Sequence, residues 1–332
     1  MLSHKLYYQL KPLIPRWLQI QVRHQIIHRK RAKYSDIWPI DERAGKQPEG
    51  WTGWPEGKRF ALVMTHDVET AKGQERCIEL AILEENLGFR SSFNFVAEEY
   101  TVSTVLLNYL VEHGFEIGVH GLTHNGNLFR SKKIFRKQAL QINYYLKEWR
   151  SVGFRSPSMY HNLEWIHDLD IEYDASTFDT DPFEPQPDGV GTIFPFWVAA
   201  TRNPEPEFDC SEAGTHNSKP ETVLRKGFIE LPYTLPQDFT LFVLMKEKNI
   251  DIWKKKLDWI VENGGMGLLN SHPDYMKFDG KKLGIKDYPV EYYVELLNYV
   301  KTKYKDQYWI VLPREVARFW KKNFQPTENE VI

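Results

Sequence analysis

The sequence predicts an α/β protein organised as one barrel-like domain, and three observations carry that prediction. From Lys58 onward, apolar runs of strand length alternate with longer stretches of helical period, the rhythm of strands joined by helical crossovers. Eight such strands fall within roughly 260 residues, the usual size of a (β/α) barrel. The 332 residues are 42% hydrophobic and 27% charged, which supplies a large core and excludes a disordered chain. An open doubly wound sheet shares this rhythm and is the alternative architecture.

Each element follows from its local pattern. Predicted strands are residues 60–65, 92–96, 116–120, 153–156, 173–178, 228–232, 266–271 and 309–312, most of them apolar runs that end in polar residues. Helical periodicity covers 77–87, 104–113, 132–149, 252–261 and 290–300, with Ser103 as an N-cap and Gly114 as a C-terminal stop. Residues 181–226, rich in Pro, Gly, Asp and Glu, break the rhythm and read as an excursion over one face of the barrel. The predicted organisation is a basic segment over 1–37, a barrel over 38–324 and a solvated tail over 325–332. Cys77 and Cys210 are too few for a disulfide framework and form no C-x-x-C pair.

Charge is unevenly spread. Residues 1–35 hold eight Lys and Arg and no acid, so the head is +8, while the other 35 bases face all 45 acids and leave the body near −10. Leu6, Leu10, Trp17, Ile20, Val22 and Ile26 lie among those cations, but Lys11, Pro12, Pro15, Arg16 and Arg23 interrupt every apolar run. Neither a spanning helix nor a signal peptide is apparent, and a cytoplasmic protein is expected, with a peripheral place at the inner face of the membrane as an option. Two readings of residues 1–35 stand: a helix docked on the acidic body, or an interfacial segment drawn to anionic lipid. Nucleic acid is disfavoured, because the remaining surface is acidic.

Phosphate-binding glycine loops, H-E-x-x-H and G-x-S-x-G are absent from the sequence. Ligand-capable residues gather instead where predicted strands end, the place where barrel enzymes keep their chemistry. The first strand delivers His66, Asp67 and Glu69, of which a carboxylate suits a hard cation, or else caps the next turn. The third delivers His120 and His124, whose i, i+4 spacing brings two imidazoles to one point on a helix or tight loop. The fourth ends at Arg155 before Pro157 and Tyr160, and a guanidinium there can orient a carboxylate. The seventh ends in Leu269, Asn270 and His272. Each signal alone has a bland structural reading; the four in this order do not arise easily together.

In order and residue type these four places resemble the motifs of the polysaccharide deacetylases, the NodB-homology family, over roughly residues 58–320. The resemblance implies a distorted (β/α) barrel with one divalent metal, Zn2+ foremost and Co2+ or Mn2+ as alternatives, on Asp67, His120 and His124. It further implies that Arg155 orients a neighbouring acid, that the Tyr160 backbone N–H helps hold the oxyanion, and that His272 protonates the leaving amine. Leu269, with Asn270, would line the acyl pocket. Asp174, Asp179 or Asp181 occupies the region of the acid that partners the arginine. One departure bears on mechanism: the family's first motif carries two adjacent aspartates, base then ligand, and His66 stands where the first belongs. The general base is then expected to be His66 or Glu69, the latter sharing a side of the extended chain with Asp67.

The expected activity is metal-dependent removal of an N-acetyl group from an amino sugar of a glycan or a lipid-linked glycan. Hydrolysis of another non-peptide carbon–nitrogen bond, in a cyclic amide or ureide, and a catalytically weak glycan-binding role in a polysaccharide assembly system are the alternatives. Phe178, Phe183, Phe194, Phe196, Trp197 and Tyr233 lie near strand ends, where rings stack on sugars or simply fill a core.

Overall fold

Strand β1 (Phe60–Val68) is buried along its whole length, because both its edges are paired and both its faces covered. The computed structural model describes residues 15–184, 189–199, 227–280 and 282–324. One edge of β1 pairs in parallel with β8 (Met266–Ser271); the other pairs first with β9 (Tyr308–Ile310) and then with β2 (Ser92–Phe95). From β2 the parallel sheet continues through β3 (Glu116–Val119), β4 (Gly153–Phe154), β5 (Tyr173–Asp174) and β7 (Phe228–Glu230). Beyond β7 the chain bridges Tyr233 to Phe178 and Leu235 to Leu269 of β8. That return closes the ring, and the fold is a distorted (β/α) barrel.

Helices cover the outside: α2 (Ala71–Leu87), α3 (Thr104–Glu112), α4 (Lys132–Glu148), the short α5 (Leu163–Ile166), α6 (Asp251–Asn263), α7 (Glu291–Lys303) and α8 (Pro313–Phe324). Thr70, Ser103, Ser131 and Asn162 each accept a backbone N–H as N-cap, a bond worth about 1 kcal/mol. Gly114 stops α3 as expected, in the left-handed region at φ 82°. α2 starts earlier than its apolar period suggested, because the Thr70 cap fixes its first turn. Strands 4 and 5 are shorter than predicted, since the chain leaves the ladder at Arg155 and Ala175 to form the loops described below.

Aromatic residues form the floor of the barrel. Trp54 donates its indole N–H to the Gly264 carbonyl before β8, and Trp51 stands against Trp54, Phe194, Trp320 and Phe324. Phe178, Phe194 and Tyr233 are fully buried and Phe183 packs edge-on against Trp38, so these four fill core rather than offer sugar platforms. Of the predicted excursion, β6 (Phe196–Val198) pairs antiparallel with β7; residues 185–188 and 200–226 lie outside the described residues, as do the tail 325–332 and residues 1–14. The head helix α1 (Arg16–Arg31) packs by one side on the barrel. Among the described residues no helix is long and apolar enough to cross a membrane.

Candidate active site

Alternation along β1 turns Thr65 and Asp67 into the barrel and His66 and Val68 toward the helices. In register beside Asp67 on β2 stands Asn94, whose amide donates to Asp67 Oδ1 at 3.0 Å. Asn270 of β8, in register with Thr65, donates to Asp67 Oδ2 at 2.9 Å. Next along the sheet, Gly118 makes room: a Cβ there would lie 2.0 Å from Asn94 Oδ1. The fully buried Arg155 brings Nε to 3.4 Å from Asp67 Oδ1 and donates from Nη2 to Thr65 Oγ1. Burial works against the charge of Asp67, but His120, Arg155 and His272 with the Asn94 amide hold its carboxyl well below the usual range.

Glu69, just past the end of β1, faces the two histidines. Its Oε1 lies 3.1 Å from His124 Nε2, and the Tyr275 hydroxyl fixes the other oxygen at 2.6 Å. The ligand atoms of Glu69, His120 and His124 all lie within 4.8 Å of one another. His120 donates from Nδ1 to the Arg155 carbonyl, which leaves the Nε2 lone pair bare, buried and without a hydrogen-bond partner. Burial, with His124 and Arg155, brings this imidazole down to about 4 against the pull of Asp67, so it is neutral at pH 7. The loop is tight: Gly121 is left-handed, and a Cβ on it would lie 2.4 Å from Pro157. Pro157 opens the turn whose Ser158 N–H donates to His124 Nε2. A neutral imidazole with an orphaned nitrogen, a second imidazole and a carboxylate form a donor set that fits a divalent cation.

Across the same mouth, His272 follows β8 and points Nε2 toward Glu69 at 3.8 Å and Asp67 at 4.0 Å. Its Nδ1 donates to Asp238 Oδ1 at 2.7 Å, while Asp238 Oδ2 accepts from the His272 backbone N–H and the Tyr288 hydroxyl. Burial alone would lower the His272 pKa; Asp238, Glu69 and Asp67 outweigh it and push it up to about 10. The imidazolium is therefore the resting form.

The structure brings together Asp67, Glu69, His120, His124, Arg155, Asn270 and His272, and it corrects several expected roles. Glu69 completes a three-residue group with the histidines, while Asp67 lies 3.8 Å from His120 Nε2 and 3.4 Å from Arg155 Nε. His66 lies on the opposite face of β1, with Nε2 at 2.7 Å from Glu84 and Nδ1 at 2.9 Å from Ser271, so it cannot act as the base. Leu269 is turned outward into the core by the same alternation, leaving Asn270 on the site side. Asp179 is paired with buried Lys256 at 2.5 Å, Asp181 caps the Phe183 N–H, and Asp174 bonds Ser176 while feeling the charge of Arg155. Tyr160 ends the Pro157 turn, its carbonyl accepting from Ser156 Oγ. Asn94, Asp238 and Tyr275 went unread in the sequence. Asn94 carried a signal, a polar residue inside the buried run 92–95; Asp238, which caps the helical segment Phe239–Leu244, sits outside every predicted element.

No family model matches the sequence, and no curated protein matches it. Its fold, however, is similar to solved structures. A protein assigned to the polysaccharide deacetylases from Mycobacterium smegmatis superposes with a TM-score of 0.60 at 16% identity, over 83% of this chain and 95% of that one. One so assigned from Pseudomonas aeruginosa PAO1 gives 0.59 at 16% identity, over 87% and 100%. PuuE allantoinase also gives 0.59, at 15% identity, over 87% and 99%. At these identities the likeness is one of fold.

Proposed function

We propose that the protein is a metal-dependent hydrolase that removes an N-acetyl group from an amino sugar of a glycan or glycolipid. The observation that carries this reading is the convergence of three ligand atoms, on Glu69, His120 and His124, between the ionised Asp67 on one side and the charged His272 on the other. A divalent ion held there, zinc or alternatively cobalt or manganese, supplies Lewis-acid polarisation of the acyl oxygen and acidifies water. Asp67, kept ionised and aimed by Arg155, Asn94 and Asn270, accepts a proton from the attacking water at a carboxylate oxygen. His272 gives its Nε2 proton to the amide nitrogen as the carbon–nitrogen bond breaks, and Asp238 holds the imidazolium until then. Tyr160 offers its backbone N–H to the acyl oxygen, and Asn270 borders the acyl group. The fold likeness to two proteins assigned to the polysaccharide deacetylases supports the same reaction class.

The likeness to an allantoinase favours one second reading, ring opening of a cyclic ureide by the same groups. Metal-replete protein assayed for acetate release from N-acetylglucosamine oligomers, and for allantoin hydrolysis, separates the two. Acetate release lost on chelation supports the first; turnover of allantoin alone replaces it with the second.

A further inference from the structure

We infer that α1 is a two-sided element, seated on the rim of the barrel by one side and placed on an anionic lipid surface by the other. On the inner side Ile20 and Ile27 are buried, His24 donates from Nδ1 to the Leu244 carbonyl, and Arg31 pairs with Glu247. Arg23 lies over the Phe239 ring at 5.3 Å. On the outer side Leu18, Val22 and Ile26 recur every fourth residue and are 38%, 44% and 47% exposed. That spacing forms one stripe along a helix.

Charge names the occupant. A solvated helix face mixes acids with bases, but here Gln21, Gln25, His28, Arg29 and Lys30 surround the stripe, and residues 1–35 contain no acid at all. Apolar side chains beside cations alone are the composition of helices that lie in a membrane interface. The rest of the chain is near −10, so an anionic surface attracts this end and repels the body, which fixes orientation as well as affinity. The site lies close behind. Phe239 follows Asp238, the partner of His272, and its ring centroid is 4.9 Å from that of Tyr275, which donates to Glu69. A bilayer on the outer side of α1 thus lies near the mouth of the site, and, resting on the hydrolase reading, the substrate it suits is a glycan carried on lipid.

Sedimentation of the full-length protein with vesicles tests this, using phosphatidylcholine alone or with about a third phosphatidylglycerol, at about 0.1 M and 1 M salt. Binding to the anionic vesicles only, lost at high salt, is expected. Replacing Leu18, Val22 and Ile26 together by Gln lowers the partition coefficient roughly tenfold or more with an unchanged melting temperature, as does Arg29→Gln with Lys30→Gln. Absence of binding by the full-length protein, or wild-type binding by the stripe variant, overturns the inference. A lower melting temperature of the stripe variant does so too, because it shows those residues are covered within the fold. No substrate enters this measurement, so failure of the hydrolase reading leaves its result standing.

Discussion

His66 Nε2 lies 2.7 Å from Glu84 Oε1, on the face of β1 opposite the carboxylate of Asp67. Glu84 is buried and also accepts from the Ser91 and Tyr293 hydroxyls, so the pair ties β1 to α2 and α7 rather than serving the reaction. His66→Ala should therefore destabilise the protein by roughly 2–4 kcal/mol, from the cavity and the unmet carboxylate oxygen. Urea denaturation reads the cost. Metal content and kcat of the folded fraction should remain within a few-fold of wild type, and a hundredfold fall in kcat would return His66 to the chemistry.

The carboxylates two residues apart are expected to separate metal binding from proton transfer. Glu69→Gln should lose stoichiometric metal after dialysis, since it removes one of three ligands. Asp67→Asn should keep the metal and lose turnover by roughly 100-fold or more, the usual contribution of a positioned base. Metal content by mass spectrometry beside steady-state rates checks both, and the reverse pattern would give Asp67 the ligand role.

Asp238 is the principal reason His272 holds its proton to about pH 10. A carboxylate beside an imidazolium favours the charged form, so Asp238→Asn lets the proton leave at lower pH. The alkaline limb of the kcat–pH profile should then move down by a unit or more, with kcat at neutral pH reduced. A profile lower in height but unmoved in position would leave Asp238 a merely structural partner.

How far the site was legible depended on where each residue sits relative to a strand. Residues that end a strand are readable, because apolar runs are easy to find and their C-terminal ends are where barrels place chemistry; Asp67, His120, Arg155 and His272 were found in this way. Which side of the strand a residue faces is harder. β1 and β8 are buried on both faces, so no polar alternation reveals inside from outside, and the motif resemblance that puts His66 and Leu269 in the site does not say which face each takes. Asp238 depends on a chain return after β7 that no local pattern encodes, since the bridge from Leu235 to Leu269 joins distant segments.

Deeper in the barrel, Glu116 gives a prediction about pH and stability. Its carboxyl is buried, accepting from the Tyr173 hydroxyl at 2.8 Å and the Arg314 backbone N–H at 3.1 Å. Burial raises its pKa to about 7, the two hydrogen bonds and Arg314 opposing only in part. The folded protein therefore binds this proton more tightly than the unfolded chain, in which a glutamate titrates near 4.3. Between those two values the native state holds the extra proton, so stability falls as pH rises and levels off above about 7. At about 1.4 kcal/mol per pH unit the loss approaches 4 kcal/mol. Other buried acids add slopes of the same sign, Asp274 with a pKa near 6 among them, so the wild-type curve alone does not isolate Glu116. The difference from Glu116→Gln does, because the carboxamide keeps an acceptor for one donor and never ionises. Urea midpoints measured from pH 4.5 to 8 should show the variant gaining on the wild type across the window, from equal or weaker at the acid end to more stable at the alkaline end. Parallel curves would mean that Glu116 is ionised in the native protein throughout, its charge balanced by the Tyr173 and Arg314 bonds.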